Sequence, residues 1–328
     1  MNRARAQEIV TNFNKQVLVI GDVMLDRFVW GNVNRFSPEA PSCPVLDFDH
    51  EEVMLGGAGN VAANLGALGA KCVRLVGLIG HDDYGREIER LMSLDTGAVD
   101  NNLKKSAARK TTSKVRFVSQ ADAVHILRFD HEETTSASTQ EQESLVQEVK
   151  KWLSVVAGIV IEDYGKGTIT RDLIREIMEL AAERNIPVFV DPKKDHWEHY
   201  RGAELVKPNK IEAYAALGLK NGEDTGDVGG RLLKYTRAKA VAVTLGSEGI
   251  VLFEEGKNAV LSLPRTDINA VDVSGAGDTT MAALTLARLA GATWPEALKL
   301  ANTAAGIAVG KRGTSTVSAD ELLNKWRI

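Results

Sequence analysis

The segment Asp272-Val273-Ser274-Gly275-Ala276-Gly277-Asp278-Thr279-Thr280 carries the strongest chemistry in the chain. Gly275 and Gly277 flank Ala276 just ahead of Met281–Leu289, an apolar stretch that reads as a buried helix. Without side chains at the glycines, backbone N–H groups can converge on one point. A helix start adds unpaired donors and positive dipole charge, so the segment reads as an anion site suited to a phosphoryl group. Asp278, at its edge, could take a proton from an attacking hydroxyl, or it could merely cap the helix.

Other spacings are weaker alone. Asn209-x-x-Glu212 opens a helix, and Glu212 could hold magnesium through water or simply complete a capping box. Thr244-x-Gly246-x-x-Gly249 can wrap a nucleotide or form a hairpin turn. Asn302 lies in a helix of small residues that could rest against a flat base. Asp22 and Asp26 follow the apolar run Val17–Ile20, where parallel sheets place ligands. Gly56-Gly57-Ala58-Gly59-Asn60 opens another small-residue helix and could bring backbone against a ligand. With Asp82, that stretch also satisfies the spacing of a dinucleotide fingerprint, but a β-patterned interval separates it from the first strand.

These residues need a scaffold. From residue 140 onward, helix and strand patterns alternate, which implies a mostly parallel sheet covered on both faces. Residues 27–54 and 111–130 instead show short β pieces, expected to form one small projecting sheet or lid. Arg35, Glu39, Arg116 and Arg128 would be candidates there to face a charged ligand. Ile250–Phe253 and Val260–Leu263 read as antiparallel edge strands. No linker or repeat interrupts the pattern, so residues 1–328 read as a single domain.

The bulk composition narrows the class. With 40 basic and 44 acidic residues, the net charge of −4 gives no case for binding nucleic acid or an anionic membrane. Cys43 and Cys72 make neither a disulfide framework nor a metal set, as expected of free thiols in the cytoplasm. No apolar run reaches the roughly 18–20 residues of a membrane span, and the first residues lack the apolar core of a secretory signal.

Taken together, Gly56–Asn60, Asn209-x-x-Glu212 and Asp272–Thr280 resemble the signatures of the ribokinase-like (phosphofructokinase B-type) carbohydrate kinases, over about residues 17–318. The resemblance implies a three-layer α/β/α sandwich with a mostly parallel central sheet and a small β lid. It implies ATP and Mg²⁺ as cofactors and transfer of the γ-phosphoryl group to a sugar hydroxyl. Asp278 would be the base, with Gly275, Ala276 and Gly277 cradling the phosphoryl. Asn209, Glu212, Thr244, Gly246, Gly249 and Asn302 would bind ATP, with Glu212 on the magnesium side.

Gly21–Arg27, Arg35–Pro41, Asp163–Gly167, Asp191–Lys193 and Gly313–Ser318 narrow the resemblance to the branch acting on D-glycero-β-D-manno-heptose 7-phosphate. Asp22, Asp26, Gly56, Gly57 and Asn60 would then hold sugar hydroxyls, and Arg35, Arg128, Lys166 and Lys193 the substrate phosphate. A homodimer through the lid is expected. Some relatives carry a nucleotidylyltransferase domain after the kinase, and the last residue, Ile328, leads to the expectation of the kinase-only form.

Overall fold

The computed structural model describes residues 1–94, 98–193, 195–219, 225–257, 261–266 and 270–326. In chain order the first strands are β1 (Gln16–Gly21), β2 (Val23–Phe36), β3 (Pro44–Gly57), β4 (Cys72–Gly80), β5 (Val99–Asn101), β6 (Lys104–Ser106), β7 (Thr112–Ser119) and β8 (His125–His131). They are followed by β9 (Gly158–Glu162), β10 (Val188–Asp191), β11 (Leu205–Val206), β12 (Ala240–Thr244), β13 (Ile250–Glu254) and β14 (Leu261–Leu263). Val260, expected to open the last of these, lies outside the described residues.

Among the described residues the larger sheet runs β14-β13-β12-β11-β10-β9-β1-β4-β5, with β6 also paired to β4. Its pairs from β12 through β5 are parallel, and β13 and β14 close one edge antiparallel. β1 and β9 are apolar along nearly their whole length and buried on both faces, as parallel strands between helices must be. Helices Ala58–Ala67, Ala276–Leu289 and Trp294–Val309 pack on one face with Val19, Val160, Phe189 and Leu205. Helices Thr139–Trp152, Arg171–Glu183 and Thr225–Thr236 cover the other, against Leu18, Ile159, Ile161 and Val190. The two cores are the alternating faces of the same strands.

The second sheet has the order β3-β2-β7-β8 and unites the two β-patterned intervals. β2 and β3 form a long antiparallel hairpin, β7 joins β2 in parallel, and β8 returns against β7. The short pieces expected over 27–54 are therefore two continuous strands of 14 residues each. Gly31, read as a break, sits at a register shift between Trp30 and Gly31, so the strand bends there without ending. Only Ser37–Cys43 interrupts the hairpin. β3 runs directly into helix Ala58–Ala67 through Gly57. The glycine-rich start thus follows a strand of the small sheet, and the dinucleotide reading fails on that context.

Candidate active site

Strand register assembles the polar floor of the site. Glu162 and Asp191 are cross-strand partners at the carboxyl ends of β9 and β10. Val190 pairs with Val206, which sets Lys207 beside Asp191. Each lies two residues beyond a core residue of its strand (Val160, Phe189, Leu205), so all three face the layer containing helix Ala276–Leu289. Lys207 is buried, and its Nζ lies 2.7 Å from Asp191 Oδ2.

Above this floor the helix begins at Gly275, whose φ of 76° is left-handed, and no side chain caps it. A Cβ at Gly275 would stand 2.6 Å from Asn60 Nδ2, so the close approach of the two helices requires glycine there. Asp278, in the first turn, is 4% exposed. Its Oδ1 accepts from the Tyr164 hydroxyl at 2.6 Å and its Oδ2 from Asn60 Nδ2 at 2.7 Å. Burial raises the Asp278 carboxyl above its ordinary value, and the Tyr164 and Asn60 donors act against that rise. The result is a fixed carboxylate more basic than usual, beside an uncapped helix start. Capping does not account for it, because its acceptors are spent on side chains of other elements.

The acceptor side is built from the small sheet and the loop after β9. Asp26 of β2 accepts from Arg116 of β7 at 2.6 Å, and both are buried. A Cβ at Gly56 would come within 2.5 Å of Asp26 Oδ2, so the glycine leaves room for that carboxylate. Lys114 lies 5.7 Å from the Tyr164 ring centre. Burial depresses the Lys114 ammonium; Asp26 and Glu132 oppose this, whereas Lys166 and Arg116 add to it. Lys166 itself pairs with Glu132 at 2.6 Å.

A cavity of about 560 Å³ lies on the other side of the helix start. Asn209, Thr244, Gly246, Gly249 and Asn302 line it together with Ala276 and Gly277. Five residues chosen from three separate segments thus share one pocket with the phosphoryl cradle. Gly246 and Gly249 both take positive φ, consistent with the tight turn between β12 and β13.

Several expected roles are not what the structure shows. Asp22 is 1% exposed, and its carboxylate accepts the main-chain N–H groups of Tyr164, Lys166 and Thr168 at 2.9, 2.9 and 3.0 Å. It anchors a loop instead of presenting itself to a sugar. Glu212 does form the capping box, accepting from the Asn209 N–H at 3.0 Å, and sits 3.8 Å from Lys193. Arg35 and Arg128 are over half exposed on the small sheet and pair with Asp47 and Asp130. Gly57 turns the chain into the helix carrying Asn60, so its part is in the backbone.

Tyr164, Glu162, Asp191 and Lys207 were not selected from the sequence as site residues. Their signal is positional: each is the last residue of a parallel strand or lies just beyond one, at the edge where such sheets bind ligands.

A fold with this strand order, an uncapped glycine-led helix and a buried carboxylate at its first turn defines a sugar-kinase architecture. A family model described as pfkB family carbohydrate kinase matches residues 14–321, and the chain belongs to that family. It is an ATP-dependent carbohydrate kinase. The bifunctional protein HldE of Bradyrhizobium diazoefficiens is 40% identical over 315 residues, covering 95% of this chain and 63% of that protein. Its counterpart from Caulobacter vibrioides is 42% identical over 311 residues, covering 94% and 62%. The chain spans a little under two thirds of the length of these relatives.

Phosphofructokinase-2 from Escherichia coli in complex with potassium superposes with a TM-score of 0.78 at 19% identity, covering 95% of this chain and 98% of that one. Ribokinase from Arabidopsis thaliana complexed with ribose and ATP gives 0.69 at 19% identity, covering 96% and 99%. These two likenesses establish the ribokinase-like fold. No described helix is long and apolar enough to cross a membrane.

The anchoring role of Asp22 has a measurable consequence. Asp22→Asn keeps one acceptor oxygen but turns an NH₂ donor toward main-chain N–H groups. It should cost about 1.5–3 kcal/mol of stability, the range for hydrogen bonds to a charged group. Urea denaturation reads this directly; a loss under about 1 kcal/mol would return Asp22 to the list of sugar ligands.

Proposed function

We propose that this kinase transfers the ATP γ-phosphoryl group to the anomeric hydroxyl of D-glycero-β-D-manno-heptose 7-phosphate, giving the 1,7-bisphosphate for lipopolysaccharide core heptose synthesis. The observation that carries the transfer chemistry is Asp278: a buried carboxylate held by Tyr164 and Asn60 between the nucleotide-sized cavity and the small sheet. In this reading Asp278 takes the proton of the attacking hydroxyl. The N–H groups of Gly275, Ala276 and Gly277 meet the charge on the phosphoryl in flight, the contribution that usually dominates such reactions. Asn209, Thr244, Gly246, Gly249 and Asn302 hold the nucleotide. The choice of acceptor rests on the heptose-kinase-like segments and on the relatives named HldE.

Magnesium fits the floor of the site. Among the described residues neither carboxylate oxygen of Glu162 has a hydrogen-bond partner, although the residue is fully buried. Oxygens of Glu162, Asp191 and Asp278 lie within 4.8 Å of one another. Burial, then Asp191 and Asp278, push the Glu162 carboxyl well above its ordinary range, and Lys207 opposes this only in part. Asp191 and Glu162, with Glu212 at the rim, would hold the ion, which neutralises phosphate charge when bound.

The substrate phosphate is assigned to Lys166 with Lys114 and Arg116 beside it. Lys193 stands at the margin, and the exposed Arg35 and Arg128 take a lesser part. The small sheet acts as a lid over the acceptor, excluding water that could intercept the phosphoryl group. It is also assigned as a homodimer surface in a cytoplasmic enzyme, because Phe36, Phe48, Leu127 and Phe129 leave more than half of their surface exposed on it.

Three experiments test these assignments. Asp278→Asn should fold and bind ATP yet lose ~10²–10⁴-fold in turnover. A purified variant retaining more than about a third of the wild-type rate would remove Asp278 as the base. The acceptor should need its own phosphate. Free heptose is expected to be worse than the 7-phosphate by on the order of 10³-fold in kcat/KM, the cost of losing two charge-assisted contacts. Comparable efficiency on the two would reassign the enzyme to a free sugar. Sedimentation equilibrium should find a dimer that Phe48→Asp weakens; a monomer at all concentrations rules out the lid interface.

A further inference from the structure

Asn64 has no part in the site as described, yet it is fully buried in the helix Ala58–Ala67, one turn beyond Asn60 and on the same face. Asparagine is a poor helix former, and a buried amide is costly unless its donor and acceptor ends are both met. Here they are met by groups gathered around Asp278. Asn64 Oδ1 accepts the main-chain N–H of Val317 at 3.3 Å and the hydroxyl of Thr279, the residue after Asp278, at 3.1 Å. Asn64 Nδ2 donates to Asn60 Oδ1 and to the Asn60 main-chain carbonyl, both at 3.0 Å. Asn60 Nδ2 then donates to Asp278 Oδ2 at 2.7 Å.

These bonds have a fixed polarity. A side-chain amide has a donor end and an acceptor end, and left to itself it can sit either way round. The Val317 N–H can only donate, so it holds Asn64 with Oδ1 toward residue 317 and Nδ2 toward Asn60. That donor in turn holds Asn60 by its oxygen, which leaves Nδ2 for Asp278. Turned the other way, Asn60 would set its oxygen against the carboxylate, acceptor to acceptor, and Tyr164 would be left as the side-chain donor. We infer that Asn64 is a positioning residue of the transfer reaction: it fixes which way round the Asn60 amide sits, and through Asn60 the orientation of the Asp278 carboxylate. The inference rests on Asp278 acting as the base but not on the identity of the sugar.

The competing role is structural, with Asn64 only fastening two helices to the chain at Val317. Asn64→Asp keeps an acceptor for Val317 and Thr279 but puts a second oxygen where the donor stood, so the Asn60 amide turns to meet it. In the folded variant, kcat should fall ~10–10²-fold, the scale of a misplaced reacting group. The KM for ATP should change by less than about threefold, because Asn64 does not line the nucleotide cavity. Asn64→Leu removes the holder without supplying a rival, lets the amide sit both ways, and should lose at least about fivefold in kcat. It carries the test if the aspartate variant does not fold.

A double-mutant cycle separates the two roles. In an Asn60→Ala background there is no amide to orient, so either Asn64 substitution should lower kcat by less than about twofold further. A structural role, or a general effect of the added charge, would persist there. The assay uses whichever acceptor the wild-type enzyme turns over. If Asp278→Asn proves active, the base assignment falls, and NMR of the Asn60 side-chain amide in asparagine-labelled protein judges the orientation alone. Its proton on Asp278 should lie downfield in the wild type and return upfield in Asn64→Asp. A kcat within about twofold of wild type in the folded Asn64 variants, an equal loss with and without Asn60, or an unmoved amide signal overturns the inference.

Discussion

The carboxylate of Asp22 accepts three main-chain N–H groups from the loop behind β9, and the rest of the site depends on that loop. β1 delivers Asp22 to the middle of the sheet. The loop it gathers carries Tyr164, which orients Asp278, and Lys166, which reaches toward the small sheet. Asp163 fastens the same loop from the opposite side by accepting from Tyr200 and Gly165. A buried carboxylate satisfied by several backbone donors is both strong and directional. It therefore fixes the loop to within hydrogen-bond tolerance, which the chemistry above it requires.

The second constraint is electrostatic. Glu162, Asp191 and Asp278 crowd one side of the sheet edge, with Lys207 among them. In a low-dielectric interior, like charges at this spacing repel, and the Lys207 ammonium offsets part of that repulsion. Burial, with a smaller push from Asp26, keeps Asp278 basic. Folding stability alone would favour apolar residues at such positions, and their acidity is a cost accepted for function.

How much of this was legible in the sequence depends on whether a feature is local. Gly275–Asp278 could be read because cradle, helix start and carboxylate lie in one short run. The alternation of strands and helices gave the α/β sandwich for the same reason. The polar floor could not be read in that way. Glu162, Asp191 and Lys207 meet only through the parallel register of three strands, and no short window of sequence states a register. The positions of two candidate substrate cations were hidden for a related reason. Arg35 and Arg128 were chosen as charges on β-patterned segments, but β2 proved long enough to carry Arg35 out to the rim. Asp22 was placed correctly at a strand end and given the wrong task, because sequence does not show which backbone donors will gather around a carboxylate.

The separations along the chain bear on how the molecule comes into being. The bond from Asn60 to Asp278 spans 218 residues, and that from Tyr164 to Asp278 spans 114. Parallel strands and contacts this distant are slow to form, because each closes a large loop before any contact rewards it. No early helix or hairpin of this chain contains a working fragment of the site. Both bonds that orient Asp278 are therefore long-range contacts, made only once distant stretches of the chain have met.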